Sequence, residues 1–241
     1  MTEIVILGGG FAGVFAAKEL QKKLNNEQFR ITLVDKNSYH LFTPSLYEVA
    51  TAEEPRGNIC IPYSEIFPHG VQIIKAKVLA IDKDNQKVRL NNSTLRYDYL
   101  VIAFGSESEY YNIPGLKENS IAFKSLEEAT RIRDKVRKKY REKHSMGQAL
   151  MVAVVGGGTT GVELSTELSK FEERLGGNVE VSIFQGEPTL LKEVNQKVSE
   201  IARERLQKSG VNVHLNSRVK KVTKELLEIE DGRTHPYDVL I

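Results

Sequence analysis

The chain has 241 residues, with 34 Lys and Arg against 32 Asp and Glu for a net charge of +2, and 40% of its residues are hydrophobic. That balance gives no electrostatic reason to expect nucleic acid or an acidic partner, and the length suits two domains of about 120 residues, each with its own core. No run approaches the about 20 apolar residues of a membrane span, and the N-terminus reaches a glycine turn by residue 8 without a basic region, so no signal peptide is expected and a cytoplasmic location is.

In chain order, Ile4-Val5-Ile6-Leu7 reads as a buried strand, followed by Gly8-Gly9-Gly10-Phe11-Ala12-Gly13 and then by a helix through Ala16-Ala17-Lys18-Glu19-Leu20. A glycine fingerprint between strand and helix suits a pyrophosphate: glycine allows the tight turn, lets the backbone approach the phosphates, and lets the helix pack on its strand. The helix start then offers free N–H groups and a partial positive charge. A second strand, Phe29 to Val34, runs into Asp35, about 20 residues beyond the glycines, where a ribose-binding carboxylate is expected. Without the glycines, Asp35 would read as a strand-ending turn residue.

Gly70-Val71-Gln72-Ile73-Ile74 through Val88-Arg89-Leu90 reads as short antiparallel strands, and Tyr97-Asp98 introduces an apolar closing strand, Tyr99 to Ile102. Pro114-Gly115 breaks regular structure and is expected to mark the domain boundary, giving domains 1–115 and 116–241. Ser125 to His144 reads as helix, and its basic stretch Arg131 to Lys143 suits a solvated helix face better than a membrane-binding one.

The pattern then recurs. Gly156-Gly157-Gly158-Thr159-Thr160-Gly161 is a second fingerprint in the same context; Val179 to Phe184 is the following strand; Gly210 to His214 and Leu226 to Ile229 repeat the short strands; Tyr237-Asp238 precedes the closing Val239-Leu240-Ile241. One fingerprint is weak evidence, whereas two embedded in a repeat predict a duplicated α/β fold. The expected fold class is α/β, two tandem Rossmann-like dinucleotide-binding domains, each a parallel sheet with an antiparallel meander. The five histidines form no metal-binding spacing, so no metal site is expected.

Gly8 to Gly13, Leu33-Val34-Asp35-Lys36-Asn37 with Tyr39-His40-Leu41-Phe42-Thr43-Pro44, and Gly158-Thr159-Thr160-Gly161-Val162-Glu163 together resemble the type II NADH dehydrogenases, flavoproteins with two dinucleotide-binding domains. The single cysteine, Cys60, agrees with that branch, because disulfide reductases need a redox pair and related peroxidases a reactive thiol, while Phe42-Thr43-Pro44-Ser45 holds no sulfur. Cys60 itself reads as a small buried hydrophobe.

The resemblance implies FAD in the first domain, NADH in the second, hydride transfer between them and electrons passing to a quinone. It implies that Gly8, Gly10, Phe11, Ala12 and Gly13 hold the FAD pyrophosphate, Asp35 the ribose, and Lys36 the adenine end. Thr43 and Pro44 would lie near the isoalloxazine, though they equally read as a turn; Val78 would meet the adenine through its backbone, and Gly105 would pass close to FAD. In the second domain Gly156, Gly158, Thr160 and Gly161 would cradle the NADH pyrophosphate, and Glu163 would be the catalytic residue near the nicotinamide, with helix capping as its alternative.

Gln185 stands where NADH-specific relatives carry an acid, so NADPH stays open beside NADH. Family members continue past the position of Ile241 with an FAD-completing segment and a quinone-binding, membrane-attached part, so a piece of a longer enzyme is expected. The whole protein would then sit in the cytoplasm or peripherally on the cytoplasmic face of a membrane, with a homodimer as a candidate assembly. A ferredoxin or other acceptor reductase, and a non-catalytic dinucleotide-binding module, remain as alternative functions.

Overall fold

The computed structural model describes residues 1–25, 27–51, 55 and 57–241, apart from the side chains of 171–175. Packing divides the chain into two units: Met1–Thr43 with Arg56–Glu107, and Pro44–Pro55 with Ser108–Ile241.

The first unit begins with β1 (Thr2–Leu7), α1 (Phe11–Lys23), β2 (Phe29–Asp35) and β3 (Tyr39–Leu41). The short helix α2 (Leu46–Ala50) falls within Pro44–Pro55 and packs in the other unit. The chain then adds β4 (Cys60–Pro62), α3 (Tyr63–Ile66), β5 (Val71–Lys75), β6 (Val78–Asp82), β7 (Lys87–Leu90), β8 (Thr94–Arg96) and β9 (Tyr99–Ile102). A parallel sheet in the order β5-β2-β1-β9 forms the middle layer. Its strands are apolar on both faces, as a sheet covered on both sides requires. Ile6, Ile31 and Leu33 pack with Ala17 of α1 and with Tyr63 and Phe67. On the opposite face Val5, Leu7 and Val34 pack with Val88, Leu90 and Tyr97 of the antiparallel meander β6-β7-β8 and its exit.

One expectation is corrected here. The segment from Val71 pairs in parallel with β2, from Ile31 opposite Val71 to Asp35 opposite Lys75, rather than in an antiparallel pair. The chain reaches it by a long crossover instead of a hairpin turn, and a crossover returns a strand in the same direction. Cys60 is likewise half-buried on β4 rather than fully buried.

The second unit continues with α4 (Leu116–Asn119), α5 (Leu126–His144), β10 (Leu150–Val155), α6 (Thr159–Leu175), β11 (Val179–Phe184), α7 (Gln196–Lys208), β12 (Asn212–His214), β13 (Val219–Val222), β14 (Leu226–Ile229), β15 (Thr234–Pro236) and β16 (Val239–Leu240). The parallel sheet β12-β11-β10-β16 and the meander β13-β14-β15 repeat the first unit's plan. As with Val71–Lys75, the expected antiparallel strand at Gly210 to His214 is parallel: β12 follows α7 and pairs with β11. The domain boundary expected after residue 115 falls elsewhere by packing. Leu116 joins the core of Phe184, Val219 and Leu227, Val222 N–H donates to the Pro114 carbonyl at 2.9 Å, and Leu46, Val49 and Ala50 are buried with the second unit.

Helix α5 buries Leu126, Ala129, Ile132, Val136 and Tyr140 along one face, at helical spacing. Ser125 caps it reciprocally with Glu128. Its basic residues occupy the remaining faces, and Lys139 pairs with Glu142 at 2.8 Å and Lys143 with Asp238 at 2.9 Å.

The repeated Tyr-Asp has the same physical job in both copies. Asp98 accepts the Glu3 N–H at 2.7 Å, and its own N–H donates to the Glu3 carbonyl at 2.8 Å. Asp238 does the same with Met151, at 2.9 Å in both directions. Each Asp pins the start of a closing strand to the central strand beside it, which sets the register of the sheet edge.

Candidate functional site

In the first unit the turn after β1 is built around Gly8, whose φ of +101° suits glycine and whose N–H donates to the Val34 carbonyl at 2.8 Å. A Cβ on Gly13 would overlap the Gly8 carbonyl oxygen, so α1 can start this close to the strand only without a side chain there. Gly10 differs: a Cβ on it would meet nothing within 4 Å. It faces an open cradle, at a helix start with no side-chain cap, where the first-turn N–H groups of Phe11, Ala12 and Gly13 stay available to an anion.

The Gly9 peptide is held on both sides. Its N–H donates to Asp35 Oδ2 at 2.6 Å, while Asp35 Oδ1 accepts the Asn37 N–H at 2.7 Å. Its carbonyl accepts from the Tyr63 hydroxyl at 2.9 Å and from His40 Nδ1 at 3.0 Å. A carbonyl can only accept, so His40 carries its proton on Nδ1. Burial pushes the Tyr63 phenol far up, with the Asp35 carboxylate as the next cause, so Tyr63 stays a neutral donor. The Phe11 ring, half exposed, stands edge-on to His40 at 4.8 Å and 5.8 Å from Phe42.

The structure therefore brings Gly8, Gly10, Phe11, Ala12, Gly13 and Asp35 together, with Gly105 two residues beyond Ala103, whose N–H donates to the Leu7 carbonyl at 2.7 Å. Val78 opens β6 and packs half-buried against the meander-side core. Lys36 is exposed, and Thr43 and Pro44 form an exposed 3-10 turn. From the 39–44 segment the rings that reach the glycine loop are His40 and Phe42. Sequence reasoning missed His40 and Tyr63 as holders of this loop.

The second unit repeats the construction. Gly156 has φ +115°, its N–H donates to the Phe184 carbonyl at 2.9 Å, a Cβ on Gly161 would overlap the Gly156 carbonyl oxygen, and Gly158 faces open space. Thr160 lies in the first turn of α6. The role of Asp35 is taken by Gln185, whose Oε1 accepts the Gly157 N–H at 3.1 Å while its amide nitrogen donates to the Thr189 carbonyl at 3.2 Å. These residues line a cleft of about 880 Å³ within this unit, within the range of nucleotide-sized sites.

Glu163 sits beyond the first turn of α6, which contains no acid, so helix capping does not account for it. Its side chain reaches solvent, yet the surrounding protein desolvates the carboxyl enough to raise its pKa. Tyr47 on α2 feels the charge of Glu163: its phenol is raised first by burial, then by Glu48, Glu167 and Glu163. Tyr47 left no signal in the sequence, because it reaches α6 only through the packing of the 44–55 segment. Among the described residues no group of three or more His, Cys, Asp and Glu could hold a metal ion, and no helix is long and apolar enough to cross a membrane.

Two α/β units, each with an open glycine turn at a helix start and a polar side chain at the end of its second strand, have the construction of the two-dinucleotide class. The chain belongs to the pyridine nucleotide-disulphide oxidoreductase family, which it matches over residues 2–241. It is 33% identical to the demethylphylloquinone reductase NdbB of Synechocystis over 91% of this chain and 55% of that protein. It is 27% identical to the type II NADH:quinone oxidoreductase of Haemophilus influenzae over 100% of this chain and 63% of that one. Among solved structures, the NDH2 of Plasmodium falciparum in complex with NADH superposes with a TM-score of 0.87 at 23% identity, covering 100% of this chain and 54% of its own. The chain thus spans roughly half to two thirds of these relatives.

Proposed function

We propose that the chain is the nucleotide-binding part of an FAD-dependent NAD(P)H:quinone oxidoreductase. The observation that carries this reading is the double cradle: Asp35 on Gly9 in one unit and Gln185 on Gly157 in the other, each beside an open glycine at a helix start. Relatives named as quinone oxidoreductases along nearly the whole chain support the same activity.

In this reading Gly8, Gly10, Phe11, Ala12 and Gly13 hold the FAD pyrophosphate through backbone N–H groups and the α1 dipole. Asp35 has free acceptor capacity for a ribose hydroxyl beyond its bonds to Gly9 and Asn37. Lys36 serves the adenine end, Val78 the adenine through its backbone, Gly105 the chain's close pass, and Thr43 with Pro44 the isoalloxazine side. Gly156, Gly158, Thr160 and Gly161 hold the pyrophosphate of the pyridine nucleotide, with Gln185 at its ribose and Glu163 toward the nicotinamide. When bound, FAD supplies a two-electron acceptor for the hydride and a donor for the quinone. The protein's part is positioning and charge. The Glu163 carboxyl, raised by desolvation, holds a proton more readily than an ordinary surface acid. The quinone and any peripheral attachment to the cytoplasmic face of a membrane, or homodimer, belong to the whole protein.

The test is the purified full-length protein: its flavin absorbance, then its bleaching without oxygen by NADH or NADPH, then reoxidation by a short-chain quinone. A yellow protein that NAD(P)H bleaches and quinone restores supports the reading; a protein that binds NADH yet never carries flavin refutes it.

A further inference from the structure

The adenosine end of the second unit's cleft is built differently from that of the first. Asp35 places a full carboxylate 2.6 Å from its loop, whereas the Gln185 amide is neutral and committed to the Gly157 N–H at 3.1 Å and the Thr189 carbonyl at 3.2 Å. It keeps a spare N–H and adds no negative charge where a ribose 2′ substituent would lie.

The next residue is Gly186, and a Cβ built there would come within 3.2 Å of Arg218 Cβ, 3.3 Å of its Nε and 3.4 Å of its Cγ. The Arg218 side chain thus lies along the Gly186 backbone, in the same cleft as Gly156 and Gln185. Its position is set by main-chain bonds on both flanks: Ser217 N–H to the Gln185 carbonyl at 2.8 Å, Asn216 N–H to the Glu187 carbonyl at 3.1 Å, and Glu230 N–H to the Arg218 carbonyl at 2.9 Å. The guanidinium meets Glu187 at 3.2 Å and Glu230 at 3.9 Å, both largely solvent-exposed side chains. Lys192 lines the cleft as well. A guanidinium with five donors can exchange a solvated carboxylate for a phosphate dianion, which it grips bidentately and more strongly.

We infer that this end of the cleft accepts a 2′-phosphorylated nucleotide, so that NADPH is a substrate, with Arg218 as the cation that meets the 2′-phosphate and Glu187 as the carboxylate it releases. The inference rests on the proposed pyridine-nucleotide role of the second unit. Neutral Gln185 tolerates the phosphate, and Gly186 leaves the space through which Arg218 reaches it.

Calorimetric titration of the full-length protein with adenosine 2′,5′-bisphosphate and with 5′-AMP tests this, alongside kcat/KM for NADPH and NADH. The bisphosphate binds more tightly than 5′-AMP. Arg218→Gln weakens bisphosphate binding and NADPH kcat/KM by about 10- to 100-fold, as expected for one charge-assisted phosphate contact, and changes the 5′-AMP and NADH values by under about threefold. Arg218→Lys restores part of the loss, and Glu187→Gln strengthens bisphosphate binding. Equal affinity for the two adenosine ligands, or an equal loss for both in Arg218→Gln, overturns the inference and leaves the pyridine-nucleotide reading standing. Failure of the protein to bind either ligand, or either dinucleotide, overturns both.

Discussion

The Gly9 carbonyl offers a quantitative test of how the first cradle is held. It accepts two buried donors, the Tyr63 hydroxyl at 2.9 Å and His40 Nδ1 at 3.0 Å, from side chains that are 1% and 5% exposed. Tyr63→Phe removes one donor and keeps the ring packed, and the carbonyl still has His40, so the cost is that of one net hydrogen bond, about 1 kcal/mol. His40→Leu removes the other donor and its edge-on contact with Phe11, at about 1–2 kcal/mol. The double variant does more than add these, because it leaves a buried carbonyl without a partner, a further penalty of about 1–3 kcal/mol. Chemical denaturation of the four proteins, read as a double-mutant cycle, gives the coupling directly, and flavin fluorescence after dialysis shows whether the loosened loop sheds FAD. Strict additivity within about 0.5 kcal/mol would show that the two donors do not share the load and would refute the reasoning.

Gly13→Ala and Gly161→Ala each drive a methyl into a carbonyl oxygen of their own loop, so the first should lose flavin and the second should weaken NADH binding, each leaving the other nucleotide's site intact; absorbance and NADH titration separate the two. Asp238→Ala removes both the acceptor of the Met151 N–H and the partner of Lys143 from a side chain only 12% exposed, and should destabilise by about 2–4 kcal/mol, against about 1 kcal/mol for the more exposed Asp98→Ala, as urea melts would show. His214 and His235 both have lowered pKa values, chiefly through burial. The unfolded chain therefore takes up protons first as pH falls, so the stability they contribute is full above their usual value of about 6.5 and declines below it; His214→Phe should flatten that decline in melts at pH 7.5 and 5.5. Glu163→Gln should slow NADH-driven flavin reduction about 10-fold, a barrier change of about 1.4 kcal/mol, with little change in melting; an unchanged rate would leave Glu163 a solvated helix residue.

What the sequence made legible was local. Gly8 and Gly13 announce their geometry because a positive φ at the first and a helix start against a carbonyl at the second leave few other choices, and the same holds at Gly156 and Gly161. Asp35 and Gln185 could be found because the end of the second strand always returns beside the glycine turn in this topology. The direction of β5 and β12 was not legible: strands of five and three residues look alike in either sheet, and only the crossover before them decides. Neither was the 44–55 segment's place in the second unit, nor the hold of Tyr63 and His40 on Gly9, since these depend on contacts between residues far apart in the chain.

The two copies therefore part company where a repeat has most freedom to do so. Fold-level constraints act on both alike: the Tyr-Asp pins, the positive-φ glycines and the helix-packing glycines recur because losing any of them breaks a turn or a register. The residue after the second strand is under a different pressure. Asp35 and Gln185 both satisfy one loop N–H, so either side chain supports the turn, and the choice between charge and amide is left to the ligand. In the first unit the carboxylate accepts two backbone N–H groups, those of Gly9 and Asn37, one on each oxygen. In the second, the amide needs the Thr189 carbonyl as its acceptor, a pairing that a carboxylate would turn into repulsion between two oxygens. Gln185→Glu should consequently sharpen the preference for NADH over NADPH only at some cost in stability of the 185–189 turn, and a variant that gained selectivity with no loss of stability would mean that Thr189 does not discriminate between the two side chains.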